Sequence, residues 1–368
     1  MPAGGLLSGW AGLGRFWLIV LVLLGAGAGV LQYLGPPPAR IAAPVPDAKP
    51  TAPPPHNTEK TTEAEPPRPV VVTSPPAAEP VVLRPGRSIP GPVADPDPAL
   101  QEPNTPPETG FLPRVAADGF APMRAYAAGF DPTTRRPRVG LIIGGIGMNN
   151  ADSLAAAKQM PAGVTLAVSP YAKDPERILT AARIAQHEYL LAIPMEPQGF
   201  PANDPDDRHA LMTSLPLTEN LIRLHWAMSR FGGYVGATNA FGPMSGERLS
   251  GMEDQFEGVL KDLAGRGLLF VDARPGTPPL GQAWNRSVDA VIDDDPADAT
   301  SVDQRLEALA RLAQEKGSAL GLISLPRPAT LDRVTAWANG LVEKGLVLAP
   351  VSALVAPPVA SQGKARNE

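Results

Sequence analysis

A few residues in the second half of the chain have side chains suited to polar chemistry and follow short apolar runs directly. Glu196 sits in Pro194-Met195-Glu196-Pro197 after Tyr189–Ile193, Asn239 follows Tyr234–Thr238, and Asp272 and Arg274 follow Leu268–Val271. In parallel α/β folds the carboxyl ends of the strands are where ligands and catalytic groups gather. Glu196 and Asp272 are therefore the candidate catalytic pair, because two carboxylates can divide acid and base work when their surroundings separate them. Met195, Asn239 and Arg274 are candidate ligand contacts, a set suited to hydrogen-bonding a hydroxyl-rich molecule. Each also has a plainer reading. Glu196 could be solvated in its proline-bounded loop, Asp272 could simply pair with Arg274, and Asn239 could cap a turn.

The first apolar run, Val139–Ile143, ends in Gly144-Gly145. Glycine allows close approach and unusual φ, so Gly144 and Gly145 are candidates for a ligand floor. Gly145-x-Gly147 starts a dinucleotide fingerprint but lacks its third glycine, and the second strand ends in Ser169-Pro170 rather than an acid, which argues against NAD. No G-x-S-x-G occurs in the folded region. The Asp293–Asp295 run reads as a solvated loop. His187 should lie at the opposite, amino-terminal face, and His225 packs within a helix. His209 falls on the rim side near Asp206 and Asp207, but one histidine is short of the three or four protein ligands of a zinc site.

These residues must be positioned by a repeating frame. Strands are expected at 139–143, 164–168, 189–193, 234–238, 268–271, 290–292, 320–324 and 346–348. Helices are expected at 152–160, 174–186, 217–231, 247–264, 301–316 and 330–344. Asp174 is a candidate N-cap ahead of Pro175. Helices that stop at Gly and restart as strands are the rhythm of βα units, and the fold class expected is α/β, a (β/α) barrel of seven to eight parallel strands. An open doubly wound sheet is the alternative.

Upstream, Phe16–Leu34 is an uncharged run long enough for a transmembrane anchor, with Arg15 on the short side, which is expected to stay cytoplasmic (1–15). A cleaved signal peptide is the competing reading. Residues 35–137 hold 27 of the 46 prolines, so a disordered Pro-rich linker is expected there, followed by the barrel at 138–356 and a disordered tail at 357–368. The chain has no cysteine and a net charge of −5, which excludes thiolate chemistry and argues against nucleic acid as a partner.

The order of Val-Gly-Leu-Ile-Ile-Gly-Gly-Ile-Gly (139–147), Pro-Met-Glu-Pro (194–197), Tyr-Val-Gly-Ala-Thr-Asn (234–239), Leu-Phe-Val-Asp-Ala-Arg (269–274) and Pro-Arg-Pro-Ala-Thr (326–330) resembles the divergent polysaccharide deacetylases, relatives of NodB-type carbohydrate esterases. The resemblance implies a deformed barrel and a role in envelope carbohydrate metabolism. It also implies a divalent metal held by an Asp and two His. In similar sequences the first strand ends Asp-Asp, where Gly144 and Gly145 stand here. An Asn-His-Met-Gly stretch is matched by Asn239-Ala240-Phe241-Gly242, and His-Pro-His-Pro by Leu325-Pro326-Arg327-Pro328. Gly, Ala and Leu side chains offer a cation no lone pair, so no metal or other cofactor is expected. The expectation is an inner-membrane, single-pass protein with its C-terminal domain in the periplasm, binding envelope glycan or a glycan-handling protein. The alternative is a hydrolase using Glu196 and Asp272.

Overall fold

The computed structural model describes Trp17 and residues 89–358, apart from 106–108, 206–207, 279–282 and 294–298. The expected anchor, apart from Trp17, lies outside the described residues, as do 35–88 of the expected linker and the tail from 359. Among the described residues no helix is long and apolar enough to cross a membrane. The chain divides into two units, Met1–Pro75 and Pro76–Glu368, and the architecture that follows is that of the second.

Parallel strands and helices alternate along the chain as β3 (Arg138–Ile146), α2 (Asn150–Gln159), β4 (Thr165–Val168), α3 (Pro175–Ile184), β5 (Tyr189–Ala192), α4 (Leu217–Met228) and β6 (Gly236–Thr238). Then come α5 (Glu247–Ser250), α6 (Glu253–Gly265), β7 (Leu269–Asp272), β8 (Asn285–Ser287), β9 (Ala290–Val291), α7 (Ala299–Lys316), β10 (Ser318–Ile323), α8 (Pro328–Asn339) and β11 (Val347–Leu348). The sheet order is β8-β7-β6-β5-β4-β3-β10-β9, with β11 on β3. β3 and β10 run in register from Arg138–Ser318 to Ile143–Ile323. On its other edge β3 takes β11 at Arg138–Val139 and β4 from Ile142 onward.

β8 and β9 are halves of one segment that changes partner. Val288 N–H donates to the Asp272 carbonyl (2.9 Å), the next residue, Asp289, donates to Leu320 (2.7 Å), and Ile292 donates to Leu322 (2.8 Å). The segment touches both ends of the sheet order, an arrangement consistent with a deformed (β/α) barrel. The two sheet faces bury different partners, as alternation along a strand requires. Val139, Leu141 and Ile143 pack with the helices, while Ile142, Leu190, Val271 and Leu320 belong to a second core.

That second core corrects the expected linker. Val93, Leu100, Met123 and Tyr126 are buried in it, together with Val351 and Leu354 from the chain's end. The segment 89–137 also carries a short hairpin, β1 (Gln101–Pro103) with β2 (Phe111–Pro113), and a helical turn, α1 (Pro122–Ala125). Its apolar residues come in short groups with no sustained helical or strand period, so they bury by docking on the sheet rather than by forming long elements. Backbone bonds pin the segment, from Val93 N–H to the Arg183 carbonyl (3.0 Å) and from Met123 N–H to Gly267 (3.1 Å).

Two helix expectations also change. Asp174 occupies the N-cap position of α3 but its side chain makes no capping bond, whereas Asn149 caps α2 through Ala151 and Asp152 N–H. The single helix expected at 247–264 breaks at Gly251-Met252 into α5 and α6.

Candidate functional site

The rim at the carboxyl ends of the strands is built around a buried polar network. Asp272, at the end of β7, accepts from Arg274 Nη2 (2.6 Å) and Nε (3.0 Å), from Arg274 N–H (2.9 Å) and from Asn239 Nδ2 (3.1 Å). Asn239, just past β6, uses its amide oxygen to accept from Ala273 N–H (2.7 Å) and its Nδ2 to reach Ser250 Oγ (3.2 Å). Ser250 Oγ in turn lies 3.8 Å from Met195 Sδ. Arg274 thus makes a forked, charge-assisted pair with Asp272, the strong form of such bonds.

Glu196 is held separately. One carboxylate oxygen pairs with Arg248 Nη1 (2.7 Å), and the other accepts from Thr213 N–H and Oγ1 (both 2.7 Å). Its carbonyl accepts Arg248 N–H (3.2 Å) and Leu249 N–H (3.4 Å). Those are donors of the first turn of α5, which an α-helix leaves without internal partners. α5 therefore joins the two halves of the site, with Arg248 on Glu196 and Ser250 on Asn239.

Each expected site residue has a definite place. Glu196 is 2 % exposed, Asn239 0 % and Asp272 4 %, and Met195 is buried too. Their polar atoms are engaged by neighbouring side chains and by the backbone, so they shape the rim from beneath. The plainer reading of Asp272, as partner of Arg274, is the one the geometry realises. An acid–base pair needs one carboxyl able to give or take a proton at a ligand, and here both are engaged by guanidinium groups.

Gly144 and Gly145 are not an open floor. The register between β3 and β4 shifts between Ile143 and Ile146, which makes the glycines an irregularity of the strand itself. Gly145 has φ +65, and a Cβ built there would lie 2.6 Å from Leu325 Cδ2 and 3.1 Å from the Ser324 carbonyl. The loop after β10 therefore rests on the glycines. It is fixed by Asp293, which accepts from Ser324 N–H (2.6 Å), Leu325 N–H (3.2 Å) and Arg327 Nη1 (3.2 Å). Asp293 was expected to be solvated and is instead 4 % exposed; burial pushes its carboxyl up, against those N–H groups and Arg327.

A metal of the kind the sequence resemblance implies does not fit these residues. The positions that would supply ligands present Gly144, Gly145, Ala240 and Leu325, and Leu325 fills space against Gly145. Among the described residues no three His, Cys, Asp or Glu side chains are grouped to hold an ion. His209 stacks on Trp226 instead, with ring centroids 3.9 Å apart at 19°. His187 is buried at the amino-terminal side with Nδ1 on the Val164 carbonyl (2.9 Å), and His225 pairs with Asp262 (3.1 Å).

What the sequence reading missed is an aromatic cleft on the same rim. It measures about 540 Å³ and is lined by residues following β3 and β4, among them Met148, Asn150, Ser169, Tyr171 and Lys173, and by Phe241 after β6. Tyr171 meets Phe241 edge-on (5.9 Å) and leans on Trp226 (5.2 Å). The signal was available, since Tyr171 follows the second strand as closely as Glu196 follows the third.

Comparison with known proteins agrees with the fold. Residues 141–355 match the family model described as divergent polysaccharide deacetylase. An uncharacterized protein of Agrobacterium tumefaciens C58, ATU2773, is 30 % identical, with 67 % of this chain and 100 % of that one covered and a TM-score of 0.60. A family 4 carbohydrate esterase from Streptomyces lividans, solved with acetate, is a far more distant match, at 18 % identity over 61 % of this chain and 99 % of its own, TM-score 0.37. No curated protein matches the chain. With the family model spanning more than half of its length, the chain belongs to the divergent polysaccharide deacetylase family.

Proposed function

We propose that this protein binds envelope glycan at the carboxyl rim of its barrel and does not hydrolyse it through a metal-bound water. The observation that carries the reading is Leu325 packed on Gly145, where the family resemblance calls for a metal ligand set. A metal lowers the pKa of bound water and polarises the acetamide carbonyl, and neither service is available without donors to hold it. The uncharged run 16–34 supports an inner-membrane tether, with the Pro-rich stretch that follows as spacer and the barrel in the periplasm. A protein that handles glycan is the other partner this rim would serve.

The test is elemental analysis of the full chain in detergent, together with acetate release from chitotetraose and calorimetric binding of the same sugar. The reading expects binding without stoichiometric metal or acetate. Stoichiometric zinc accompanied by acetate release would defeat it.

A further inference from the structure

The cleft beside Tyr171 has the features of a sugar subsite, and its charge narrows the class of sugar. Its volume of about 540 Å³ falls inside the ordinary range for small-ligand sites. One wall is the half-buried ring of Tyr171, braced by Phe241 edge-on and by Trp226, which is itself covered by the stacked His209. A braced ring loses little freedom when a ligand lies on it. Aromatic faces are electron-rich, and the C–H groups on one face of a pyranose carry the complementary partial charge. Met148 also lines the cleft, 46 % exposed and able to adjust to an irregular surface.

The polar lining supplies both donors and acceptors. Asn150 is exposed, and its amide offers two donors and an acceptor to ring hydroxyls. Ser169 Oγ accepts Tyr171 N–H (3.2 Å), which sets the turn that carries the ring. Lys173 is exposed and is the one charged side chain among the lining residues, none of which is a carboxylate. A cleft with an ammonium and no acid favours an anionic ligand over a cationic one, and gives a neutral sugar no use for the charge.

We propose that this cleft takes a sugar ring bearing a carboxylate, stacked on Tyr171 with its acid group at Lys173. The proposal rests on the reading of the rim as a glycan site and names the substrate class for it.

The experiment is calorimetry on the full chain in detergent with three probes: hyaluronan tetrasaccharide, which alternates N-acetylglucosamine with glucuronate; neutral chitotetraose; and sodium acetate. The carboxylated tetrasaccharide is expected to bind roughly 5–10-fold more tightly than the neutral one. Lys173→Gln should remove that preference and Lys173→Arg should retain it. Tyr171→Ala should weaken both sugars about tenfold. Because Lys173 is exposed, its variants are expected to keep the wild-type thermal midpoint, so the charge arm stands even where Tyr171→Ala unfolds.

Equal affinity for both sugars, unchanged in Lys173→Gln, would overturn the carboxylate assignment. Full binding in folded Tyr171→Ala would overturn the cleft as the place while leaving glycan binding intact. Acetate competing as well as the tetrasaccharide would show a plain anion site and overturn the proposal. If the full chain bound neither sugar, the broader reading of the rim would fall with it.

Discussion

Leu325 Cδ2 would stand only 2.6 Å from a Cβ on Gly145, so the loop after β10 and the glycine irregularity of β3 have been fitted to one another. Gly145→Ala must adopt φ near +65 and displace Leu325. It is expected to cost about 1–3 kcal/mol, read as a drop in the urea midpoint. In the double variant Gly145→Ala/Leu325→Ala the two effects should be less than additive. Full additivity would show that the two residues do not press on each other.

Asp272 and Arg274 form a forked ion pair in the rim network. Arg274 keeps some solvent exposure, so removing the carboxylate leaves it partly hydrated rather than stranded. Asp272→Ala is therefore expected to cost about 2 kcal/mol, below the value for a fully buried pair. A double-mutant cycle with Arg274→Ala should give a coupling of roughly 1–2 kcal/mol. If glycan binding collapsed in Asp272→Ala while stability held, the residue would touch ligand after all.

Two adjacent residues at the amino-terminal side of the barrel respond to pH in opposite senses. Burial lowers the His187 imidazole from its ordinary 6.5, with the Val164 and Met160 carbonyls opposing. The folded state then binds fewer protons than the unfolded chain between the lowered value and 6.5, and stability is lost as pH falls through that window. Burial raises Glu188 from 4.5, against donors from Ser352, Ala128 and Thr165. Its contribution is present below 4.5 and is lost as pH rises through the raised value. His187→Asn leaves the Glu188 slope in place, so the difference between variant and parent isolates the imidazole. The parent's urea midpoint should fall more than the variant's between about pH 7.5 and 5.5.

Glu188 also fastens the chain. It accepts Ala128 N–H (2.9 Å), Ser352 N–H (2.9 Å) and Ser352 Oγ (2.6 Å) from the segments that precede and follow the barrel. Glu188→Ala would leave buried donors without partners, and we expect a loss of about 2–4 kcal/mol in chemical denaturation. A loss under about 0.5 kcal/mol would mean water replaces the carboxylate.

The segment before β3 yields a test by truncation. A chain starting at residue 89 keeps Leu100, Met123 and Tyr126 in the second core, and one starting at 138 loses all three. Each such side chain contributes roughly 1.5–3 kcal/mol when buried. The longer form should unfold cooperatively, and the shorter should be insoluble or bind a hydrophobic dye. Equal stability would return residues 89–137 to the role of a spacer.

The sequence was most legible where local rules act alone. All eight expected strands exist, because short apolar runs mark strands, although β9 and β11 are only half-buried. β8 was invisible, since Asn285-Arg286-Ser287 carries no apolar signal and pairs only because β7 lies beside it. The candidate residues Glu196, Asn239 and Asp272 were located correctly at strand ends. Their engagement was not legible, because Arg248, Thr213 and Ser250 approach from loops and from α5, and no local pattern encodes such long-range neighbours. Asp293 was misread for the same reason, its partners lying about thirty residues away.

The handover at Val288–Asp289 has a mechanical consequence. β3 and β10 share a ladder six residues long, but the segment linking β7 to β10 gives only a few residues to either side. Thermal breathing should begin at that seam, and in deuterated water the amides of Val288 and Asp289 should trade their hydrogens well before those of Leu141 or Leu322.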